Sequence, residues 1–353
     1  MKRGWSILFL VAASIAFARD HRGNMAAPFT LHWNQGKCLS CQTASGLGRI
    51  QVISRQEAWA VGFRYPPPGY PGAGDFVAVH TKDAGLTWTE VSETRMHAGD
   101  VDGPPAISFL DAARGWIASW DPADEAKVLH TKDGGRHWQV VSDEPLQQMI
   151  FFDVNRGYGS EVTNFLRTSD GGRHWSESQI PHVRFIDRMF FLTPDMGWLA
   201  GTDGQNAWVF RTENGGQSWE WSKITLPTEV ARVADVFFLD HNLGWLITWH
   251  YNDEGTFLYF TRDGGRNWAP EADQSFQGKG KWAGVVRFLS EKLGFVFESG
   301  EDNNLLYTLD GGSHWSKEAL PQFVSDCQIF EGDLLCSSGT KGAAFNFLTL
   351  HLK

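Results

Sequence analysis

Acidic and aromatic side chains share several short, turn-like stretches of this chain. Trp120 stands beside Asp121, Asp124 and Glu125, Trp249 and Tyr251 beside Asp253 and Glu254, and Asp302 beside Glu301, while Asp203 sits in a stretch of its own. Carboxylates among flat rings combine negative potential with stacking surfaces, which suits a cationic peptide, a sugar or a calcium ion. Calcium has the weakest case, because no Asp-x-Asp-x-Asp-Gly run is present. Loop acids are also, more blandly, ordinary solvated charges. Two acids roughly 5–9.5 Å apart would serve glycoside hydrolysis. Arg184, Arg232 and Arg287 stand near the starts of apolar segments, where their guanidiniums could converge on one centre. Loop-end charges give the same pattern. His137, His174 and His314 recur within one repeated motif and read as turn residues rather than metal ligands, so no metal and no cofactor is assigned.

Four cysteines add a redox possibility: Cys38, Cys41, Cys327 and Cys336. An even set in an exported chain favours disulfides. If Glu331-Gly332 is a two-residue hairpin turn, Cys327 falls opposite Cys336, where side chains approach closely. Cys38 would then pair with Cys41, with a redox or zinc role as the sharper alternative. A c-type haem site needs His after the second cysteine, and Gln42 is there instead.

Export is itself an expectation. Met1-Lys2-Arg3, the apolar stretch from Trp5 to Ala13, then Ala16-Phe17-Ala18 have the order of a cleavable signal peptide over residues 1–18, and the apolar stretch is too short to span a bilayer. A retained membrane anchor is the alternative. Residues 19–353 then form one periplasmic or extracellular domain, not embedded in the membrane and monomeric. The chain carries a formal net charge of −10. Loss of Lys2 and Arg3 makes it more acidic still, which disfavours nucleic acid or an anionic membrane surface as partner.

The elements that must position these residues come from repeats. One eight-residue pattern, Thr-x-Asp-x-Gly-x-x-Trp, starts at Thr81, Thr131, Thr168, Thr212, Thr261 and Thr308, with Asn214 for Asp in the fourth copy. Its spacing of about 45 residues matches one four-stranded propeller blade. A second pattern alternates with it: an apolar strand, a polar turn ending in Gly, and another apolar strand, over 107–119, 149–160, 188–201, 235–248 and 286–298. Degenerate copies cover 49–62 and 326–339, giving seven inner hairpins. The fold expected is all-β: a seven-bladed β-propeller of four-stranded antiparallel blades, each an inner hairpin (strands A and B), a strand C, the repeated turn and a strand D. The last blade lacks the turn. Residues 342–350 would supply its third strand and residues 29–33 its outer one, closing the ring with both chain ends. An open or six-bladed ring is the alternative.

The repeated turn has a physical rationale. A short carboxylate accepts N–H groups within its own loop, and Gly-Gly tolerates positive φ. The anchoring pairs are Asp83 with Trp88, Asp133 with Trp138, Asp170 with Trp175, Asn214 with Trp219, Asp263 with Trp268, and Asp310 with Trp315. Each Trp should wedge between neighbouring sheets, burying ~150–250 Å². That makes the motif structural first.

With these motifs the chain resembles the Asp-box (BNR repeat) propeller superfamily, which includes sialidases, sortilin-type receptors, two-domain xyloglucanases and photosystem II assembly factors. The inner "FFxDxxxGW" hairpin and the "TxDGGxxW" turn are most similar to the assembly-factor group, and the resemblance covers roughly residues 30 to 350. It implies C–D turns on the outer face and an exported, non-catalytic scaffold for a protein or cell-envelope partner, bound here through the B–C and D–A loops. The rival reading is a sialidase-like glycoside hydrolase. Phe63-Arg64-Tyr65-Pro66 is similar to the sialidase Phe/Tyr-Arg-Ile-Pro motif, with Tyr65 in place of Ile, and Arg64 would then join Arg184, Arg232 and Arg287. No tyrosine stands in a recognisable nucleophile context.

Overall fold

A computed structural model describes residues 27, 29–38, 44–64, 75–91, 96–97, 105–120, 125–226, 230–250, 255–271, 281–300, 303–338 and 344–352. The leader expected over residues 1–18 lies outside them. The described chain forms a seven-bladed β-propeller of four-stranded antiparallel blades. Blade three shows the plan: Gln148–Phe151, Gly157–Glu161, Asn164–Thr168 and Ser176–Gln179 run as strands A to D. Blade one runs from Ala44–Val52 to Thr87–Glu90, blade two from Ala106–Phe109 to Gln139–Ser142, and blade four from Phe185–Phe191 to Glu220–Thr225. Blades five and six begin at Val230–Phe238 and Lys281–Phe288.

The ring closes through the chain ends. Val324–Phe330, Asp333–Ser338 and Ala344–Leu352 make three strands of blade seven, and Phe29–Cys38 adds the fourth, in register from Phe29↔Leu352 to Lys37↔Ala344. This N-terminal strand is longer than the sequence indicated. Its far end also runs parallel to strand D of blade one, pairing Lys37 with Thr87 and Cys38 with Trp88. Asn34 Nδ2 donates to Ala84 O there at 2.8 Å. A two-residue strand, Met96–His97, bridges blades one and two, so blades seven, one and two share a continuous sheet. Nothing in its sequence marks it as a strand.

Blade seven also carries a disulfide between Cys327 and Cys336, which sit opposite each other with Cα atoms 4.1 Å apart. Glu331 and Gly332 make the turn, both at positive φ (50° and 83°). The Cys38–Cys41 pairing lies outside the described side chains.

Aromatic stacking joins blade to blade. In four blades the Phe ending strand A lies flat on the indole at the start of strand B of the preceding blade: Phe109 on Trp59 (4.1 Å), Phe151 on Trp116 (3.8 Å), Phe238 on Trp198 (3.6 Å) and Phe288 on Trp245 (3.6 Å); in blade four Phe191 meets Tyr158 at a 45° tilt instead. The same Phe ring covers the glycine that starts strand B of its own blade. A Cβ on Gly197 would stand 2.2 Å from the Phe191 ring, which is why Gly precedes the aromatic residue in this hairpin. The Asp of that pattern ties the A–B turn: Asp153 Oδ1 accepts from Asn155 N and Arg156 N, both at 2.8 Å.

The repeated C–D turn uses both anchor residues. Thr131 Oγ1 donates to Asp133 Oδ1 (3.0 Å) and accepts from Gly135 N (2.9 Å). Asp133 Oδ1 accepts from His137 N, and Oδ2 meets His137 Nδ1 at 2.5 Å. His174, His314, Ser218, Asn267 and Thr87 take the same place in the other copies. Each turn then donates a backbone N–H to its own blade's A–B turn, as from Gly171 to Asn155 O and from Gly264 to Asn242 O. The weight given to the turn tryptophans needs correcting. Only Trp88 among them is fully buried, whereas Trp138, Trp175, Trp219, Trp268 and Trp315 are half-buried at the rim. The other fully buried indoles are Trp59, Trp116 and Trp198 of the inner hairpins.

Candidate binding site at the propeller axis

The innermost strands are bulged, and the bulges aim side chains at the next blade. Between Ile186 and Arg188 the register slips at Asp187. Asp187 accepts from Val233 N (3.0 Å) and Arg232 Nε (2.5 Å) of blade five. Asp235 repeats the device on blade six, accepting from Val286 N (3.0 Å) and Arg287 Nη1 (2.5 Å). Asp326 repeats it across the closure, accepting from Ile50 N (3.1 Å) with Arg287 Nη2 at 3.5 Å. Neutral groups make the same stitch elsewhere: Ser108 to Phe151 N, Gln148 to Met189 N, Thr256 to Ala283 N and Gln328 to Val52 N. Burial pushes the Asp187 and Asp326 carboxyls above the usual range, against the Val233 N–H and Arg232 for the first and Arg287 for the second.

Two further arginines join this ring. Arg188 Nη1 donates to its neighbour's carbonyl, Asp187 O, at 2.8 Å. Arg49 Nη2 reaches from blade one to Gln147 O of blade three at 3.3 Å. Burial, and then the charge of Arg188, push Arg49 down to about 10. Beside them a cavity of 390 Å³ is lined by Arg188, Arg232, Val233, Ala234, Trp249, Ala283 and Gly284. These residues start strands A and end a strand B, so the cavity belongs to the D–A and B–C loop face.

An aromatic corner stands on the same face between blades three and four. His182 stacks on Trp208 at 4.6 Å, and Trp221, 55% exposed, leans against both. Asp203 holds Trp208 Nε1 at 2.8 Å and also accepts from Gln205 N and Asn206 N. Partial burial works against that carboxylate, but the Trp208 and Asn206 bonds outweigh it and hold it at about 2. Asp203 is therefore engaged within its own turn.

Of the residues singled out from sequence, Arg232 and Trp249 meet in the cavity. Arg287 lies one blade further on, within ion pairs to Asp235 and Asp326. Arg184 is exposed beside Gly204. The side chains of Arg64 and Trp120, and all of Asp121, Asp124, Tyr251, Asp253, Glu254 and Asp302, lie outside the described residues. Sequence reasoning gave no role to Arg49, Arg188, Asp187, Asp235 and Asp326. Their signal was a charged residue inside an otherwise apolar inner strand, a type that is seldom buried without a partner. Among the described residues no group of three or more His, Cys, Asp or Glu side chains is gathered to hold a metal ion.

No protein-family model and no curated protein matches the chain. Solved structures do. YCF48 bound to D1 peptide aligns with a TM-score of 0.61 at 17% identity, over 95% of this chain and 99% of that one. YCF48 from Cyanidioschyzon merolae gives 0.63 at 15% identity, over 90% and 98%. The GH74 xyloglucanase from Xanthomonas campestris gives 0.58 at 15% identity, over 89% of this chain and 53% of that one. At these identities the likeness is one of fold, the seven-bladed propeller.

Proposed function

We propose that this chain is a non-catalytic scaffold of the Asp-box (BNR) kind, similar in role to assembly or stability factors, which holds a protein or cell-envelope partner on its loop face. The observation that carries this reading is the use made of the axial carboxylates. Asp187, Asp235 and Asp326 are occupied as stitches between blades, so none is placed as a free acid or base, while a cavity lined by arginine and tryptophan opens beside them. Arg232 and Arg287, which a sialidase would need for substrate, are committed to Asp187 and Asp235. The fold shared with YCF48, solved with a D1 peptide, supports a peptide-binding use. The protein is exported after removal of residues 1–18, acts in the periplasm or outside the cell, and is monomeric.

A photo-crosslinking residue at position 249 tests the reading in the native host, with one at position 137 on the opposite face as control. A protein or envelope adduct from position 249 alone is expected. Adducts from position 137 alone, or turnover of a fluorogenic sialoside lost in Arg232→Ala, would overturn it.

A further inference from the structure

The charge count at the axis does not balance. Arg49, Arg188, Arg232 and Arg287 face Asp187, Asp235 and Asp326. Arg232 is paired with Asp187 and Arg287 with Asp235. Asp326 lies near Arg287 and within electrostatic reach of Arg49. Arg188 forms no salt bridge with a described carboxylate: it is within electrostatic reach of Asp187, which Arg232 and Val233 N already hold, and its one described hydrogen bond is to a backbone carbonyl. Its guanidinium also repels that of Arg49. In a chain with formal net charge −10, this is a concentrated positive site, half-buried and walled by apolar groups.

We infer that the axial cavity is a carboxylate-binding site, with Arg188 as its principal donor and Arg49 as electrostatic support. A half-buried guanidinium whose neighbouring carboxylate, Asp187, is already paired with Arg232 has N–H donors to spare, and a planar carboxylate matches their fork. A monoanion suits the site better than a phosphate dianion, because one positive charge is left over. The cavity has small-ligand size, so it takes the end of a chain and not a folded surface. This deepens the scaffold reading and rests on it for one point only, that the carboxylate is the C-terminus of a partner peptide. A free small carboxylate has the same chemistry.

Calorimetric titration of the full chain distinguishes the sources, using N-acetyl-Ala-Gly-Ala as free acid, the same peptide amidated, sodium acetate and sodium phosphate. The free acid should bind, the amide at least about tenfold more weakly. Arg188→Ala should abolish the difference, and Arg188→Lys should keep only part of it. If Arg188→Ala melts early, Arg188→Met retains the stem and makes the same test. Acetate binding as tightly as the peptide acid keeps the site and removes the peptide partner from it. Equal binding of acid and amide overturns the carboxylate site and leaves the scaffold reading intact. Tighter binding of phosphate than of acetate, no binding by either carboxylate, or an unchanged Arg188→Met titration also overturns it.

Discussion

The ring of Phe238 lies on the indole of Trp198 with 3.6 Å between centroids and 7° between planes, although the two belong to different blades. Trp198 Nε1 also donates to Gly264 O, in the repeated turn of that same next blade, at 2.9 Å. One side chain therefore couples an inner strand to its neighbour's inner strand and rim turn. Trp198→Ala should cost about 3–5 kcal/mol in urea unfolding, the usual range for a buried aromatic truncated in a core. Trp175→Ala, at the half-buried rim, should cost only about 1–3 kcal/mol. Equal losses would refute the division between hub and rim.

Gly244 has no positive φ to protect, so its presence follows from space alone. A Cβ there would stand 2.4 Å from the Phe238 ring, which is pinned between Trp198 and the sheet. Gly244→Ala should destabilise by about 1–3 kcal/mol through overpacking. Adding Phe238→Leu should make the alanine almost free of further cost. Simple additivity in that double-mutant cycle would argue against the clash.

How far the fold could be read follows from which residues carry their reasons locally. The Thr–Asp–Gly–Trp turns and the Gly that admits a Phe ring act within a few residues, so the repeat exposed blade number and strand order. Strands A were harder. The sequence reading began them at Arg188, Asp235 and Val286, yet they start at Phe185, Val230 and Lys281. Bulges at Asp187, Ala231, Ala234 and Gly284 break the two-residue alternation and hide the first residues of each strand. The axial cluster was hidden for a related reason. Asp187 meets Arg232, 45 residues away, through the curvature of the ring, which no local pattern encodes. The cavity likewise draws on three blades.

That distant pair makes its own prediction. Asp187→Ala strips Arg232 of its counter-ion and Val233 N of its acceptor at once, and should cost about 3–5 kcal/mol. Asp187→Asn retains an acceptor for Val233 and should cost less. Arg232→Met in the Asp187→Ala background should recover part of the loss, since the stranded charge is gone. Urea midpoints of the four proteins decide it; no recovery in the double variant would show that the ion pair is not the source.

Acid should unfold the rim before it reaches the hub. Hydrogen bonding to His137, through side chain and backbone, holds Asp133 at about 2, and Asp203 sits at about 2 in its own turn. Asp170 is lowered too: slight burial opposes the shift, but His174 outweighs it. An unfolded Asp titrates near ~3.9. As pH falls below about 4, the unfolded chain takes up protons that these folded carboxylates refuse, so stability present above that pH is lost progressively down to about 2. Asp187 and Asp326 act with the opposite sign, because burial raises their folded values. They gain protons in the folded state first and so add a small stabilisation as pH falls toward about 4. Unfolding midpoints from pH 7 to 2 should thus stay level or rise slightly before they drop. Asp133→Asn should flatten part of the drop, as Asn214 already does in the fourth turn, where Asn214 Oδ1 still accepts from Ser218 N at 3.0 Å. Stability that held constant to pH 2 would show that these turns are not tied through ionised carboxylates.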